Sequence, residues 1–353
     1  MKRTASVLFA VCCCLTTRAP RLETTLVAVG ADPWALCYNQ TNNKVYCANY
    51  YGSNVVVIDG MVDTVITTIA EDGPPHDLCY NPTNNTVYCV NEAARMTVID
   101  GVTNGVIATV ALGRYPIALC YNPTNNKVYC ANRESDSVTV IDGVTNGVIA
   151  TVAVGQSPLA LCHNSTNNKV YCANHESDSV TVIDAATDGV IATVPAGRRP
   201  WALCYNSTDN KVYCTNEGCD SVTVIDGATN GVVANVAVGY VPGDICYSPT
   251  NNKVYCANFY SDDVSVIDGA TNDVIATVDA GRGPRALCYN PTDNRIYCAN
   301  YHNDNVTVID GASNGVITNI AVGTGPIDLC HNPIQRRVYV ANSTDSSISV
   351  LRY

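Results

Sequence analysis

The sequence predicts an all-β fold: one β-propeller of eight four-stranded blades, closed by a strand from its own N-terminus. Three observations carry that prediction. A Val-Tyr-Cys run or a close variant recurs at Tyr46, Tyr88, Tyr129, Tyr171, Tyr213, Tyr255, Tyr297 and Tyr339, 42 residues apart save for one step of 41. Every unit but the last holds four short strand-like runs, and none shows apolar residues at helical spacing. The segment ahead of the first unit matches the one strand that the last unit lacks.

The third unit shows the elements in order. Ile117–Tyr121 is a short apolar run, and Asn122–Asn126 is a turn cluster. Lys127–Ala131 follows as a second strand of β-branched and aromatic residues, which suit a pleated surface. Val138–Ile141 is the third strand, ended by Asp142-Gly143 and the turn pair Asn146-Gly147; Val148–Val154 is the fourth. Four short strands per 42 residues describe a propeller blade. A solenoid would need polar capping units at both ends. Thr24–Gly30 (TTLVAVG) parallels Ile149–Gly155 (IATVAVG), and the last unit stops after its third strand, Ile348–Leu351. Three strands from one terminus and one from the other leave the ring without an open break. Seven blades with a stray unit are the alternative.

Composition narrows the function classes. The chain has 353 residues and a net charge of −11, which argues against nucleic acid or an anionic membrane as a general partner. Charged residues are only 14% and apolar residues 47%, which excludes intrinsic disorder. Residues 1–20 differ from the rest. Lys2 and Arg3 precede the uncharged, mostly apolar Ala5–Leu15, and Thr16–Pro20 turn polar. That is the layout of a secretory signal peptide, too short for a membrane-spanning helix. The body at 21–353 is expected to be secreted, periplasmic or cell-surface, with no transmembrane segment.

The repeat PxALCYNPTNNKVYCANxxSDSVTVIDGxTNGVIATVAVG resembles the YVTN-repeat β-propellers, surface and secreted proteins of bacteria and archaea. The tetrad stands as Tyr213-Cys214-Thr215-Asn216 and Tyr339-Val340-Ala341-Asn342, as Tyr-Cys-Ala-Asn in five units, and as Tyr88-Cys89-Val90-Asn91 in the second. The resemblance covers 24–353 and implies fold and surface location. The departure from the family pattern is Cys where Val or Ala is usual.

Seven units carry two Cys ten residues apart, and the eighth has Cys330 with Val340. In an exported protein this invites a disulfide in each blade. Register argues otherwise. If Asn122-Pro123-Thr124-Asn125-Asn126-Lys127 forms a four-residue loop with Asn126 left-handed, Cys120 faces Tyr129 and Cys130 faces Leu119. Adjacent residues point to opposite faces of a strand, so the thiols of one blade are kept apart. A five-residue loop would pair them directly. Free buried thiols are expected, with Cys as a small hydrophobe.

Comparing the eight units with one another separates scaffold from site. The tetrad Asn (Asn49, Asn91, Asn132, Asn174, Asn216, Asn258, Asn300 and Asn342) is common to all and reads as structural. The turns between strands one and two and between three and four also repeat closely. The loops that open on the other face vary. There Trp34 and Trp201, the only tryptophans, hold equivalent positions in the opposed blades one and five. Arg114, Arg198, Arg199, Arg282 and Arg285 come from blades three, five and seven. Arg suits carboxylate and phosphate, and exposed Trp suits sugar or peptide. These seven residues are the candidate ligand site; the plainer reading is loop tips tolerant of change. Asp77, Asp244 and Asp328 replace an Ala at the start of strand one in blades two, six and eight. They could hold a hard cation or merely cap their own loops. No metal or other cofactor is expected. No GxSxG, HExxH, Walker or GxGxxG motif occurs. The expectation is a non-catalytic, exported, monomeric binding scaffold for a protein, peptide or glycan. The alternatives are a lactonase-like or quinoprotein-like enzyme and a purely structural cell-envelope module.

Overall fold

A computed structural model describes residues 19–27 and 29–353. The signal-peptide reading falls outside these residues except at Ala19 and Pro20. The chain forms eight four-stranded antiparallel sheets arranged as a ring of blades. Blade one runs Pro33–Asn39, Lys44–Asn49, Asn54–Asp59 and Thr64–Ala70. The third blade runs Pro116–Asn122, Lys127–Asn132, Ser137–Asp142 and Val148–Ala153, within a residue or so of the sequence reading. Two short 3-10 turns, Arg133–Ser135 and Glu217–Cys219, lie between second and third strands.

The eighth blade takes Pro326–Asn332, Arg337–Asn342 and Ser347–Arg352 from the C-terminus and Arg21–Val27 from the N-terminus. N-terminal closure is therefore observed, with a correction of register. Equivalence with blade three would set Val27 opposite Ile348, because Val152 pairs Val138. Instead Leu26 pairs Ile348 and Thr25 pairs Ser349. The strand bulges between Leu22 and Thr24, so Glu23 occupies the outward position that the exposed Ile149 holds in blade three. There Glu23 accepts hydrogen bonds from Arg337 Nε at 2.8 Å and Arg352 Nη1 at 3.0 Å. Arg337 also pairs with Asp63 of blade one at 3.1 Å. The slip thus puts Glu23, rather than Thr24, at this position and forms a charged clasp over the ring junction.

The core lies between blades, where each sheet packs its face against the next. Tyr46, Ala48, Val55 and Val57 of blade one meet Val87, Cys89 and Ile99 of blade two. Tyr339, Ile348 and Val350 of blade eight meet Val45, Cys47 and Ile58 of blade one, completing the circle. Second and third strands are apolar on both faces because both faces meet a neighbour.

Asparagine and lysine of the repeating turns hold one rim of the ring. Asn39 Nδ2 donates to Asn85 Oδ1 at 2.9 Å, and Asn81 to Asn126 and Asn122 to Asn168 at 2.8 Å each. Lys44 Nζ donates to Gly101 O, Val102 O and Asn104 Oδ1 of the next blade, and Lys127 Nζ meets Asp188 at 2.7 Å. This face repeats because its side chains are consumed in joining blades.

Candidate functional site

On the opposite face, two sets of variable loops meet. In seven blades the loop entering the first strand is turned by a left-handed residue before the shared proline, among them Asp32 at φ 59°, Tyr115 at 54°, Arg199 at 55° and Val241 at 55°; blade two has Pro74 there. The residue after the tetrad Asn then donates its N–H to the carbonyl of that turn residue. Tyr50 to Asp32 (2.8 Å), Arg133 to Tyr115 (2.9 Å), Phe259 to Val241 (3.0 Å) and Tyr301 to Gly283 (2.8 Å) follow one rule. The rule places two variable positions per blade beside the channel mouth.

The mouth is built of rings. Trp34, Tyr50, His76 and Tyr115 form a continuous series with centroids 5.6, 5.3 and 4.9 Å apart, and Arg133 lies over Tyr115 at 5.8 Å. Tyr50 donates to Glu92 at 2.7 Å, and His76 Nε2 is 3.3 Å from the same carboxylate. Burial lowers the His76 pKa, with Glu92 pulling the other way. Across the mouth, Trp201 meets His175 at 5.9 Å and Phe259 meets His302 at 5.3 Å. The Arg285 guanidinium lies 5.6 Å from the centre of the Trp201 ring. A cavity of about 550 Å³ runs past Trp34, Phe259, Arg285 and Tyr301. A second, of about 510 Å³, joins Trp34, His76, Tyr115, Trp201 and Arg285. Volumes of this size suit a small organic ligand or the tip of a peptide or glycan.

The repeat, the ring and this mouth can be set beside known proteins. The family model for the YNCE-like beta-propeller matches residues 3–333. The chain belongs to that family. No curated protein matches it in sequence. Among solved structures, the computationally designed Ika8 protein superposes with a TM-score of 0.80 at 14% identity, covering 93% of this chain and 98% of that one. Kuenenia stuttgartiensis hydrazine synthase gives 0.63 at 16% identity, covering 94% and 98%. At such identities the likeness is one of fold alone.

In this YNCE-like propeller, three of the seven sequence-selected residues converge. Trp34, Trp201 and Arg285 line the same cavities. Arg114, Arg198, Arg199 and Arg282 do not join them: all four are exposed at the loop tips, and Arg114 pairs with Glu134 at 2.9 Å. The reason is position, since these four precede the proline and Arg285 follows it. Sequence reasoning missed Tyr50, Arg133, Phe259 and Tyr301. Their signal lay in the slot after the invariant Asn, which reads Tyr50, Glu92, Arg133, His175, Glu217, Phe259, Tyr301 and Ser343 around the ring.

Asp77, Asp244 and Asp328 face a different task from cation binding. One oxygen of Asp77 accepts the N–H of Leu78 at 2.8 Å and the other that of Leu119, in the next blade, at 2.7 Å. Asp244 bridges Ile245 and Leu287, and Asp328 bridges Leu329 and Leu36, in the same way. Each carboxylate satisfies inner-edge donors that a first strand would otherwise leave unpaired. Among the described residues no group of three potential metal ligands comes together. Desolvation raises all three pKa values, Asp77 and Asp328 to about 7.

The cysteine register is as the sequence implied. Asn126 has φ 54°, Asn122 pairs Lys127, Cys120 pairs Tyr129, and Leu119 pairs Cys130. All cysteines among the described residues are free thiols, and only Cys219 is exposed. Burial pushes the pKa of the paired thiols upward, which makes them poor nucleophiles.

Proposed function

We propose that this protein is an exported, non-catalytic propeller that binds a protein, peptide or glycan at its channel mouth. One observation carries the reading. Among the residues that differ between otherwise repeating blades, those following the shared proline and the tetrad Asn gather at a single place, where Trp34, Trp201 and Arg285 share cavities. Variation at the mouth contrasts with the other face, whose repeating Lys and Asn are committed to neighbouring blades. Two of the mouth histidines contact carboxylates, His76 meeting Glu92 and His175 meeting Glu176 and Glu217, while His302 packs against Phe259 and Tyr301. That arrangement orients side chains for contact and supplies no activated nucleophile. The basic-then-apolar start and the likeness of the repeat to the YVTN propellers support export. Unbridged thiols fit an oxidising compartment here, because register and burial keep them from pairing.

A glycan and peptide array probed with the full-length protein tests the proposal. The same array is run with Trp34→Ala and Trp201→Ala. Ligands retained by wild type and lost by both variants are expected. Equal retention by all three proteins would remove the mouth from consideration.

A further inference from the structure

We propose that the sector of the mouth spanning blades five to seven takes the carboxylate of a ligand whose body is a flat apolar ring. The inference rests on the mouth-binding reading and sharpens it. Arg285 is half-buried, and among the described residues it makes no hydrogen bond and no ion pair. Its pKa is lowered by burial, while Asp244 and Glu217 act on it only at a distance. A desolvated guanidinium with unspent N–H donors is a carboxylate receptor waiting for its partner.

The neighbouring residues make room for that partner. Arg285 belongs to blade seven and reaches Trp201 of blade five, past the equivalent position in blade six, which is Gly243. A Cβ built on Gly243 would find its nearest neighbour, Ala257 O, at 3.9 Å, so the absent side chain leaves open space. That space is a cavity of about 170 Å³ between Trp201, Phe259, Tyr260 and Arg285. Its size matches a single ring, and its aromatic walls supply the stacking faces. The charge requirement is narrow. Glu217 lines the same cavity and Asp244 lies below, so a polyanion is repelled where a single carboxylate is accepted.

The only two tryptophans both line this mouth, so intrinsic fluorescence reports on the site directly. Phenylacetate and its uncharged counterpart 2-phenylethanol are titrated into the full-length protein and into Arg285→Gln and Gly243→Leu. Phenylacetate is expected to give a saturable change, weakened about tenfold or more in Arg285→Gln, the loss of one charge-assisted hydrogen bond. Gly243→Leu should abolish it by filling the cavity, and 2-phenylethanol should bind at least tenfold more weakly than phenylacetate. Two results would overturn the carboxylate assignment and leave mouth binding intact: equal response to both probes, or array ligands lost in Trp34→Ala but retained in Arg285→Gln. No saturable change with phenylacetate overturns the assignment as well; the mouth reading itself fails only if the array ligands also ignore both tryptophan substitutions.

Discussion

The side-chain oxygen of Asn342 is buried without a donor, and Val340 stands where the other seven blades have cysteine. In five of those blades the thiol supplies a donor to the tetrad Asn: Cys47 to Asn49 and Cys298 to Asn300 at 3.4 Å, Cys172 to Asn174 and Cys256 to Asn258 at 3.6 Å, Cys130 to Asn132 at 3.7 Å. The Asn amide in turn donates to third-strand hydroxyls, as Asn132 does to Thr139 at 2.9 Å. In those five blades cysteine is a small buried hydrophobe that also donates to the tetrad Asn; Cys214 turns to Thr215 O instead, and Asn216 Oδ1 is left without a donor as Asn342 Oδ1 is.

Val340→Cys is accordingly expected to stabilise the protein. The gain should be small, under about 1 kcal/mol, because a thiol is a weak donor and an unsatisfied carbonyl costs about 1–3 kcal/mol when fully buried. Urea denaturation against wild type measures it. A loss of stability would mean that the volume of valine matters more there than the missing donor.

Ring closure makes a second prediction. Deleting Leu22–Val29 removes the outer strand of blade eight and the Glu23 link to Arg337 and Arg352. Stability should fall by several kcal/mol, on the order of removing a few buried aliphatic side chains. The third strand, Ser347–Arg352, becomes an unprotected edge, so aggregation should rise. A melting temperature equal to wild type would detach this segment from the ring.

Much of this architecture was legible because a repeat states its own registry. The turn ending at Asn126 and its equivalents set which way the first- and second-strand cysteines point, and the fourth-strand likeness of Thr24–Gly30 located the closure. The one-residue slip at Leu26 was not legible, since a bulge at Glu23 answers to arginines in two strands from the far end of the chain. At the mouth, composition singled out the tryptophans but not which arginines turn inward. Whether Arg198 or Arg285 reaches the channel depends on which side of a proline each stands. That is a matter of backbone path rather than residue type.

Lys44 and Lys127 illustrate the same limit. Both sit in turns of the repeating face, remote from the mouth, and residue type alone does not show that they join adjacent blades or that the Lys127–Asp188 pair is largely buried. Lys127→Met should destabilise by roughly 1–3 kcal/mol, mainly by leaving Asp188 uncompensated, and should leave ligand binding at the mouth unchanged. Thermal denaturation and the array together check both halves.

Thiol reactivity is the fourth test. Under native conditions without reductant, a thiol reagent should label Cys219 quickly and the buried thiols slowly. In denaturant, all sixteen cysteines of the described residues should react. Recovery of one or two would show that the blades are cross-linked and that the strand register differs from the one observed.

The channel carboxylates give stability an unusual slope with pH. Asp77 and Asp328 titrate near pH 7 when folded against an ordinary value of 3.8, because desolvation penalises their charged forms. Between about pH 4 and pH 7 the folded chain therefore holds protons that the unfolded chain has released. Stability falls as pH rises through that window, by about 1 kcal/mol per unit for each carboxylate. His76, His163 and His331 tilt the profile the opposite way, since burial keeps them neutral while the unfolded chain would protonate below its usual value of 6.5. The carboxylate contribution is isolated by comparison with Asp77→Asn/Asp328→Asn. The double variant should lose stability at pH 5, where the protonated acids are at their best, and lose less or none at pH 8. An equal loss at both values would mean that the two carboxylates stay ionised throughout, held by the backbone N–H groups they bridge.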